Sequence, residues 1–250
     1  MDSKQRFSDR VDNYVKYRPS YPASMVDFLL SRVDHPNTRV CADIGSGTGI
    51  LTGLLLPHFS EVWAVEPNDE MMAFAESSCS EFPAFHSIKA SAEETTLEGQ
   101  SVDVVVVSQA FHWFDQEKFQ SECRRILSPS GFVALIWNSR IADTPFLEAY
   151  DRLLKLYATD YNEVNHQNIS PEQLARFFSG GHEKFLFPNS QSFDLKGLFG
   201  RLDSSSYAPK PGSPEYDLLR KELREQFERH AAGGRVEFLY DTEVFLGSVN

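Results

Sequence analysis

The stretch from Val40 to Glu66, VCADIGSGTGILTGLLLPHFSEVWAVE, decides the fold of this 250-residue chain. An apolar run at 40–44 ends in a loop with glycine at positions 45, 47 and 49, and a helical pattern follows the loop. A second strand-like run, 61–65, ends at the acidic Glu66. Strand, glycine loop, helix, strand and acid is the layout of a nucleotide-binding βαβ unit. The glycines allow a ligand close to the backbone, and the acid suits a pair of ribose hydroxyls.

The glycine spacing separates two classes of ligand. A dinucleotide fingerprint has glycine at its first, third and sixth positions, and counting from Gly45 the sixth position here is Ile50. Asp43 precedes the loop, where its charge would repel a pyrophosphate and favour a cationic ligand. The segment DIGSGTG, 43–49, resembles motif I of the class I S-adenosylmethionine (SAM) methyltransferases, whose cofactor carries a sulfonium and an ammonium group. A glycine turn without a ligand is the alternative, but it leaves both acids unexplained.

Composition limits the classes of function. Hydrophobic residues make up 41% of the chain and aromatic residues 13%, enough for a sizeable core. The net charge of −12 disfavours a broad phosphate-binding surface, so no nucleic-acid partner is expected. The cysteines Cys41, Cys79 and Cys123 form no CxxC pair, so neither a disulfide framework nor a metal site is predicted. The same cysteine pattern predicts a cytoplasmic protein. The polar N-terminus predicts no signal peptide, and the lack of a long apolar run predicts no membrane partner.

The order of strand and helix patterns is that of an α/β protein. The four consecutive valines at 104–107 indicate a strand buried on both faces. Pro129-Ser130-Gly131 predicts a turn before the fifth strand. Strands are predicted at about 39–44, 61–66, 84–88, 102–108, 132–137, from 185, and at 235–246; helices are predicted after the glycine loop and at 8–17, 23–33, 69–78, 115–127, 144–158, 171–179, 194–201 and 214–230.

The predicted fold is a seven-stranded, doubly wound, Rossmann-like α/β sheet. The resemblance to class I methyltransferases implies that the last strand runs antiparallel. We expect a single domain over 1–250, with N-terminal helices and the SAM-binding half in about 1–140 and the final strand at 235–246. Helical insertions at about 141–182 and 194–231 are interpreted as a lid over the substrate, because ligands of open α/β sheets bind beyond the carboxyl ends of the strands.

Three further motifs sharpen the resemblance. They are SQAFHWFD at 108–115, YRPSYP at 17–22 and ASAE at 90–93. These segments are similar to those of the methyltransferase type 11 group, and within it to the trans-aconitate methyltransferase-like small-molecule enzymes. The resemblance covers nearly the whole chain, but none of these motifs specifies a substrate.

The resemblance also implies roles for individual residues in binding SAM and its product, S-adenosylhomocysteine. Gly45, Ser46 and Gly47 would pack against the methionine part of SAM, with Asp43 before them, and Glu66 would hold the ribose hydroxyls. Many relatives carry aspartate at the position of residue 91, so a serine there weakens or replaces a contact with the adenine amino group. The adenine side is assigned to Pro67, Asn68, Met71, Ser91 and Ala92, and the methionine end also to Gln109.

Two residues and the lid each have two interpretations. His112 is the candidate general base, because its unperturbed pKa is about 6.5, or else it has a structural role such as capping the next helix. Arg18 would close over the cofactor site and bind a carboxylate, or else it belongs to a segment that only docks on the sheet. The aromatic residues of the lid either grip a planar or apolar substrate or pack as core.

The predicted function is SAM-dependent methyl transfer (enzyme class EC 2.1.1) to a small organic molecule with a carboxylate or hydroxyl acceptor. Three alternatives stay open. The first is a non-catalytic SAM-binding regulatory module. The second is an NAD-dependent oxidoreductase, which Ile50 and Asp43 disfavour. The third is a methyltransferase of macromolecules, which the negative charge disfavours. The expected partner is the small-molecule substrate, and the chain is expected to be a monomer or a homodimer.

Overall fold

The computed structural model describes residues 16–158, 169–205 and 207–249. One seven-stranded sheet forms its centre, in the order β3-β2-β1-β4-β5-β7-β6. The strands are β1 (Val40–Ile44), β2 (Glu61–Val65), β3 (Phe85–Ile88), β4 (Val102–Ser108), β5 (Leu127–Arg140), β6 (His182–Phe193) and β7 (Val236–Gly247). The first five pair in parallel, whereas β7 is antiparallel to both β5 and β6. The predicted α/β sheet with an antiparallel last strand is therefore confirmed.

The helices begin at side chains that satisfy their first backbone N–H groups. The side chain of Asn68 accepts hydrogen bonds from the N–H groups of Glu70 and Met71, and Ser170 forms a capping box with Gln173. From residue 23 onward the predicted helices are present with ends within two residues, whereas most of the predicted 8–17 helix lies outside the described residues. The helices are α1 (Ala23–Ser31), α2 (Ile50–Leu55), α3 (Asp69–Cys79), α4 (Gln116–Ile126), α5 (Pro145–Tyr157), α6 (Pro171–Phe177), α7 (Leu195–Asp203) and α8 (Pro214–His230).

The valines of β4 show how the sheet is buried on both faces. Val104 and Val106 belong to the core that includes residues of α1 and α2, while Val105 and Val107 belong to the opposite core with residues of α4 and α6. All four side chains are at most 1% exposed. Alternating residues of a strand point to opposite faces, so a continuous apolar run is what a central strand requires.

Strands β5 and β6 are longer than predicted. β5 begins at Leu127, so Pro129-Ser130-Gly131 lies within the strand and is not a separate turn. A register irregularity accommodates it: the partners of Val102 and Val104 on β5 are Leu127 and Phe132. β6 runs to Phe193 through a polar stretch, because it pairs with β7 over its whole length. The apolar residues of β6 alone therefore indicated a shorter strand than the one that forms.

Helices α5, α7 and α8 pack together beyond the carboxyl end of β5. Arg140, the last residue of β5, pairs with Tyr240, so residues 236–239 of β7 extend past that end. The extension carries Val236 and Phe238, which pack in one apolar cluster with residues of the three helices. Helix α6, which lies inside the first predicted insertion, packs instead on a sheet face beside α4. The lid function of the insertions stays a prediction.

Across the ranges that the structure describes, no helix combines the length and the apolar character needed to cross a membrane.

Candidate active site

A cleft opens at the carboxyl ends of β1, β2 and β4. It holds about 790 Å³ of space between atoms, part of which is open to solvent. Of the predicted site residues, Gly45, Gly47, Glu66, Pro67, Asn68, Met71, Ser91, Ala92 and Gln109 line it. The structure thus brings together residues from the glycine loop, the end of β2, the segment after β3 and the end of β4.

The glycine loop is fixed against the end of β2. The N–H groups of Gly45 and Ser46 donate to the carbonyl of Val65 at 2.8 and 3.2 Å. Both Gly45 and Gly47 have positive φ, +69° and +57°, a region that other residues rarely adopt. A Cβ on Gly45 would lie 2.7 Å from the Cβ of Ala110, whereas on Gly47 its nearest neighbour would be the sulfur of Met71 at 3.8 Å. Gly45 is therefore required for the close packing of the loop against Ala110, whereas the absence of a side chain on Gly47 leaves space beside the cleft.

Glu66 connects the loop to the start of α3. One carboxylate oxygen accepts from the N–H of Gly47 and the other from the N–H of Asn68, both at 2.9 Å. The residue is only 7% exposed. Burial raises the pKa of its carboxyl group, and the two N–H donors act in the opposite direction. Each carboxylate oxygen has a second lone pair, so Glu66 can hold the loop and still accept from ligand hydroxyls.

Asp43 lies fully buried before the loop. One of its oxygens accepts from the Thr52 hydroxyl at 2.7 Å, and the other has no hydrogen-bond partner among the described residues. Burial raises the pKa of Asp43 to about 7; the Thr52 hydrogen bonds lower it, and repulsion by Glu66 raises it. Two carboxylates that share one low-dielectric region favour a cation nearby. This arrangement fits a ligand with a sulfonium and an ammonium group.

Gln109, the residue directly after β4, has an unusual backbone conformation. Its φ is +57°, although it is not a glycine, and its N–H donates to the carbonyl of Ile136 at 2.9 Å. Such conformations carry strain and persist mainly where the surroundings fix them, often at functional sites. The hydrogen bond joins the cleft directly to β5, the strand that leads to the helices beyond the sheet.

Five residues that line the cleft were absent from the predicted site. Trp113 and Phe114 belong to the motif at 108–115 and face the cleft, whereas Phe111 of the same motif is fully buried. Glu93 accepts from the N–H of Asp115 at 2.9 Å and so joins the β3 and β4 sides. The sequence motifs could have identified these residues, because four of the five lie in the motif at 108–115 and one lies in the motif at 90–93. The five residues are Glu93, Ser108, Ala110, Trp113 and Phe114.

Four predicted site residues do not line the cleft. Asp43 and Ser46 are buried next to it. The His112 ring packs against Trp113, with 4.7 Å between ring centres, in a short 3-10 helix at 111–113. Arg18 donates to the carbonyl of Ser204 at 3.2 Å, on the side of α7. The roles assigned to these residues stay predictions.

Comparison with known proteins agrees with this geometry. Residues 42–135 match the family model described as a methyltransferase domain. An uncharacterised methyltransferase-like protein of Schizosaccharomyces pombe is 30% identical over 246 residues, covering 96% of this chain and 93% of that protein. A probable SAM-dependent methyltransferase of Saccharomyces cerevisiae is 31% identical over 79% of this chain and 66% of its own length.

Solved structures show the same fold. A structure assigned to the type II methyltransferases, from Anaeromyxobacter dehalogenans, superposes with a TM-score of 0.70 over 93% of this chain and 98% of that chain, at 22% identity. Three findings support the same family. They are the strand order, the glycine loop with its two acids, and a relative that matches almost the whole chain. The chain belongs to the class I SAM-dependent methyltransferases.

Proposed function

We propose that this chain transfers the methyl group of SAM to a small organic molecule, at a carboxylate or hydroxyl oxygen, as an enzyme of class EC 2.1.1. The observation that carries the proposal is that the cleft and the cluster of α5, α7 and α8 share one edge of the sheet. Gln109 in the cleft is hydrogen-bonded to Ile136 of β5, and the strand ends four residues later at Arg140. Four residues of strand span about 13 Å, the scale of a small acceptor.

The described residues fit SAM as follows. Gly47 would admit the methionine part of SAM beside the loop, and the buried charge of Asp43 would favour its cationic groups. Glu66 would accept from the ribose hydroxyls. Gln109 would contact the methionine end. The adenine would lie among Pro67, Asn68, Met71, Ser91 and Ala92.

The protein's contribution to the chemistry is alignment and exclusion of water. SAM supplies a methyl group that is already activated on its sulfonium. Holding an acceptor in line with that group can lower the barrier by about 7–11 kcal/mol. A carboxylate acceptor needs no base, whereas a hydroxyl must lose its proton, and His112 is the candidate to receive it. Trp113 and Phe114 supply apolar walls on this side of the cleft.

Turnover with methyl-labelled SAM tests the proposal. We expect labelled product and S-adenosylhomocysteine from a panel of small carboxylic acids and alcohols, with no label on protein or RNA. Tight SAM binding without turnover on any acceptor would favour the non-catalytic regulatory module. Family membership decides against an NAD-dependent oxidoreductase. The cytoplasmic location and the monomeric or homodimeric state stay predictions.

A further inference from the structure

Arg201 is a buried guanidinium without a carboxylate partner among the described residues. It lies in α7, is 5% exposed, and donates to the hydroxyls of Ser205 at 2.9 Å and of Ser204 and Tyr240 at 3.4 Å. All three acceptors are neutral. Buried charges are normally paired, because removing a charge from water costs several kcal/mol. The described part of the chain therefore leaves the charge of Arg201 uncompensated.

Tyr150 presents an unused donor in the same region. The residue is fully buried in α5, and its hydroxyl has no hydrogen-bond partner among the described residues. Burial, the largest effect, raises the pKa of Tyr150, so the hydroxyl keeps its proton and can donate. Its ring lies 4.8 Å from the guanidinium of Arg140. Buried hydroxyls without a partner are costly, so this one is expected to have an acceptor in the working enzyme.

Further charged and phenolic groups lie close enough to this region to influence one another electrostatically. Burial alone would raise the pKa of Tyr207, but the guanidiniums of Arg201, Arg140 and Arg18 lower it below its usual range. Tyr207, Arg140 and Arg18 are half-buried, whereas Arg201 and Tyr150 are fully enclosed. These five residues are called the arginine–tyrosine cluster, with Arg201 and Tyr150 as its floor and the other three as its open side.

The cluster lies at the acceptor side of the cofactor cleft. Arg140 ends β5 and pairs with Tyr240 of β7, at the carboxyl edge of the sheet. Ile136, four residues earlier on β5, accepts the hydrogen bond from Gln109 of the cleft. A molecule bound between the two sites would therefore meet the cofactor at one end and the cluster at the other.

We propose that the arginine–tyrosine cluster binds an anionic oxygen group, carboxylate or phosphate, of the methyl acceptor, with Arg201 and Tyr150 as direct contacts. This inference rests on the proposed methyl transfer to a small molecule. A guanidinium presents a planar fork of donors that matches such groups, and the phenol adds a third donor. Because these contacts withdraw charge from the bound oxygens, the anion orients the acceptor, and a different group of the same molecule receives the methyl.

Thermal unfolding of the S-adenosylhomocysteine complex tests the site without any turnover. The probes are acetate, succinate and inorganic phosphate, each compared with chloride at equal ionic strength. At least one probe should raise the wild-type Tm by about 2–5 °C. Arg201→Gln and Tyr150→Phe should each lose at least half of that rise. The order of the carboxylates and phosphate shows which anion the cluster prefers.

Tyr150→Phe is the sharper variant, because it removes only a hydroxyl that has no partner in the described residues. Its Tm without probes should not fall below that of the wild type, because the hydroxyl that is removed makes no hydrogen bond to lose, so it tests the site even if Arg201→Gln fails to fold. Tyr157→Phe is the matched control on α5, since the Tyr157 hydroxyl donates to Glu222 at 2.6 Å, and it should keep the full rise.

The proposal is overturned if no probe raises the wild-type Tm, or if Arg201→Gln or Tyr150→Phe keeps the whole rise. A lack of methylated product with every acceptor would instead contradict the proposed function, since the anion response requires no methyl transfer.

Discussion

Two glycines, Gly47 and Gly200, show how differently the two halves of the active region are built. A Cβ on Gly47 would meet nothing closer than the Met71 sulfur at 3.8 Å, so the glycine keeps space open beside the cofactor cleft. A Cβ on Gly200, in α7, would overlap the ring of Tyr17. The first glycine makes room for a ligand, and the second makes room for a distant part of the same chain.

The hydrogen bonds repeat this contrast. In the cofactor half, Glu66 receives N–H groups from residues 19 and 2 positions away. On the side of α5, α7 and α8, Arg18 donates to Ser204 across 186 positions, and Gln191 donates to Tyr17 across 174. The carboxylate link in the cofactor half is therefore made within a short stretch of sequence, while the acceptor side depends on the N-terminal segment docking on α7 and β6. A substitution in one half should therefore leave the other half intact, so that SAM binding and turnover can be measured separately.

The largest expected effect is that of Gly47→Val. A branched side chain at φ +57° is strained by about 1–2 kcal/mol and enters the space beside the loop. SAM affinity, measured by calorimetry, should fall at least about 100-fold, or roughly 2.7 kcal/mol, with the fold retained by circular dichroism. Gly53→Ala is the control, since no atom lies within 4 Å of the added Cβ, and it should keep the affinity. Normal SAM binding by Gly47→Val would remove the loop from the site.

Glu66→Ala should come next. It removes a ribose acceptor and also leaves the N–H groups of Gly47 and Asn68 without their carboxylate. We expect SAM affinity to fall by about 1.5–3 kcal/mol and the free energy of unfolding to fall by a similar amount. Calorimetry and urea unfolding separate the two losses. Destabilisation with unchanged SAM affinity would make Glu66 a purely structural link between the loop and α3.

Gly200→Ala tests the other half of the comparison. The new methyl group must displace Tyr17, and with it the segment that carries Arg18. Turnover should fall about tenfold, or 1.4 kcal/mol in the barrier, while SAM affinity stays within twofold of the wild type. If SAM affinity falls in parallel with turnover, the cofactor half and the acceptor side are coupled and do not work independently.

The smallest effect concerns pH and Asp43. Its pKa is about 7 in the folded chain against an ordinary 3.8, so between these values the folded state holds a proton that the unfolded state has lost. Stability should therefore fall as pH rises, by about 1 kcal/mol between pH 6 and 8 from this group. Urea unfolding of Asp43→Asn should lack this component. An equal decline in the variant would assign the pH dependence to other groups.

The same contrast explains what could be predicted from the sequence. The loop, Glu66 and the valines of β4 were readable because their periodicity and spacing are local. Trp113 and Phe114 were harder to place, since an aromatic residue in a motif can face the core or the cleft. Whether they face the ligand depends on the turn at 111–113.

The lid over the substrate was predicted as a region, but the proximity of Arg201 and Tyr150 within it escaped prediction for a physical reason. Arg201 and Tyr150 lie on separate helices, with no motif or spacing that links them. They come together only because β6 and β7 extend past β5 and bring α5 and α7 against each other. The length of β6 was itself hidden, since its far half is polar and depends on pairing with β7.

A crystal structure with S-adenosylhomocysteine tests the central claim most directly. The predicted result is homocysteine against Gly45–Gly47, ribose hydroxyls on the Glu66 carboxylate, and adenine beside Met71 and Ala92, with the side of Arg201 left free for an acceptor. Ligand density away from this cleft, or a Glu66 carboxylate without contact to the ribose, would contradict the account.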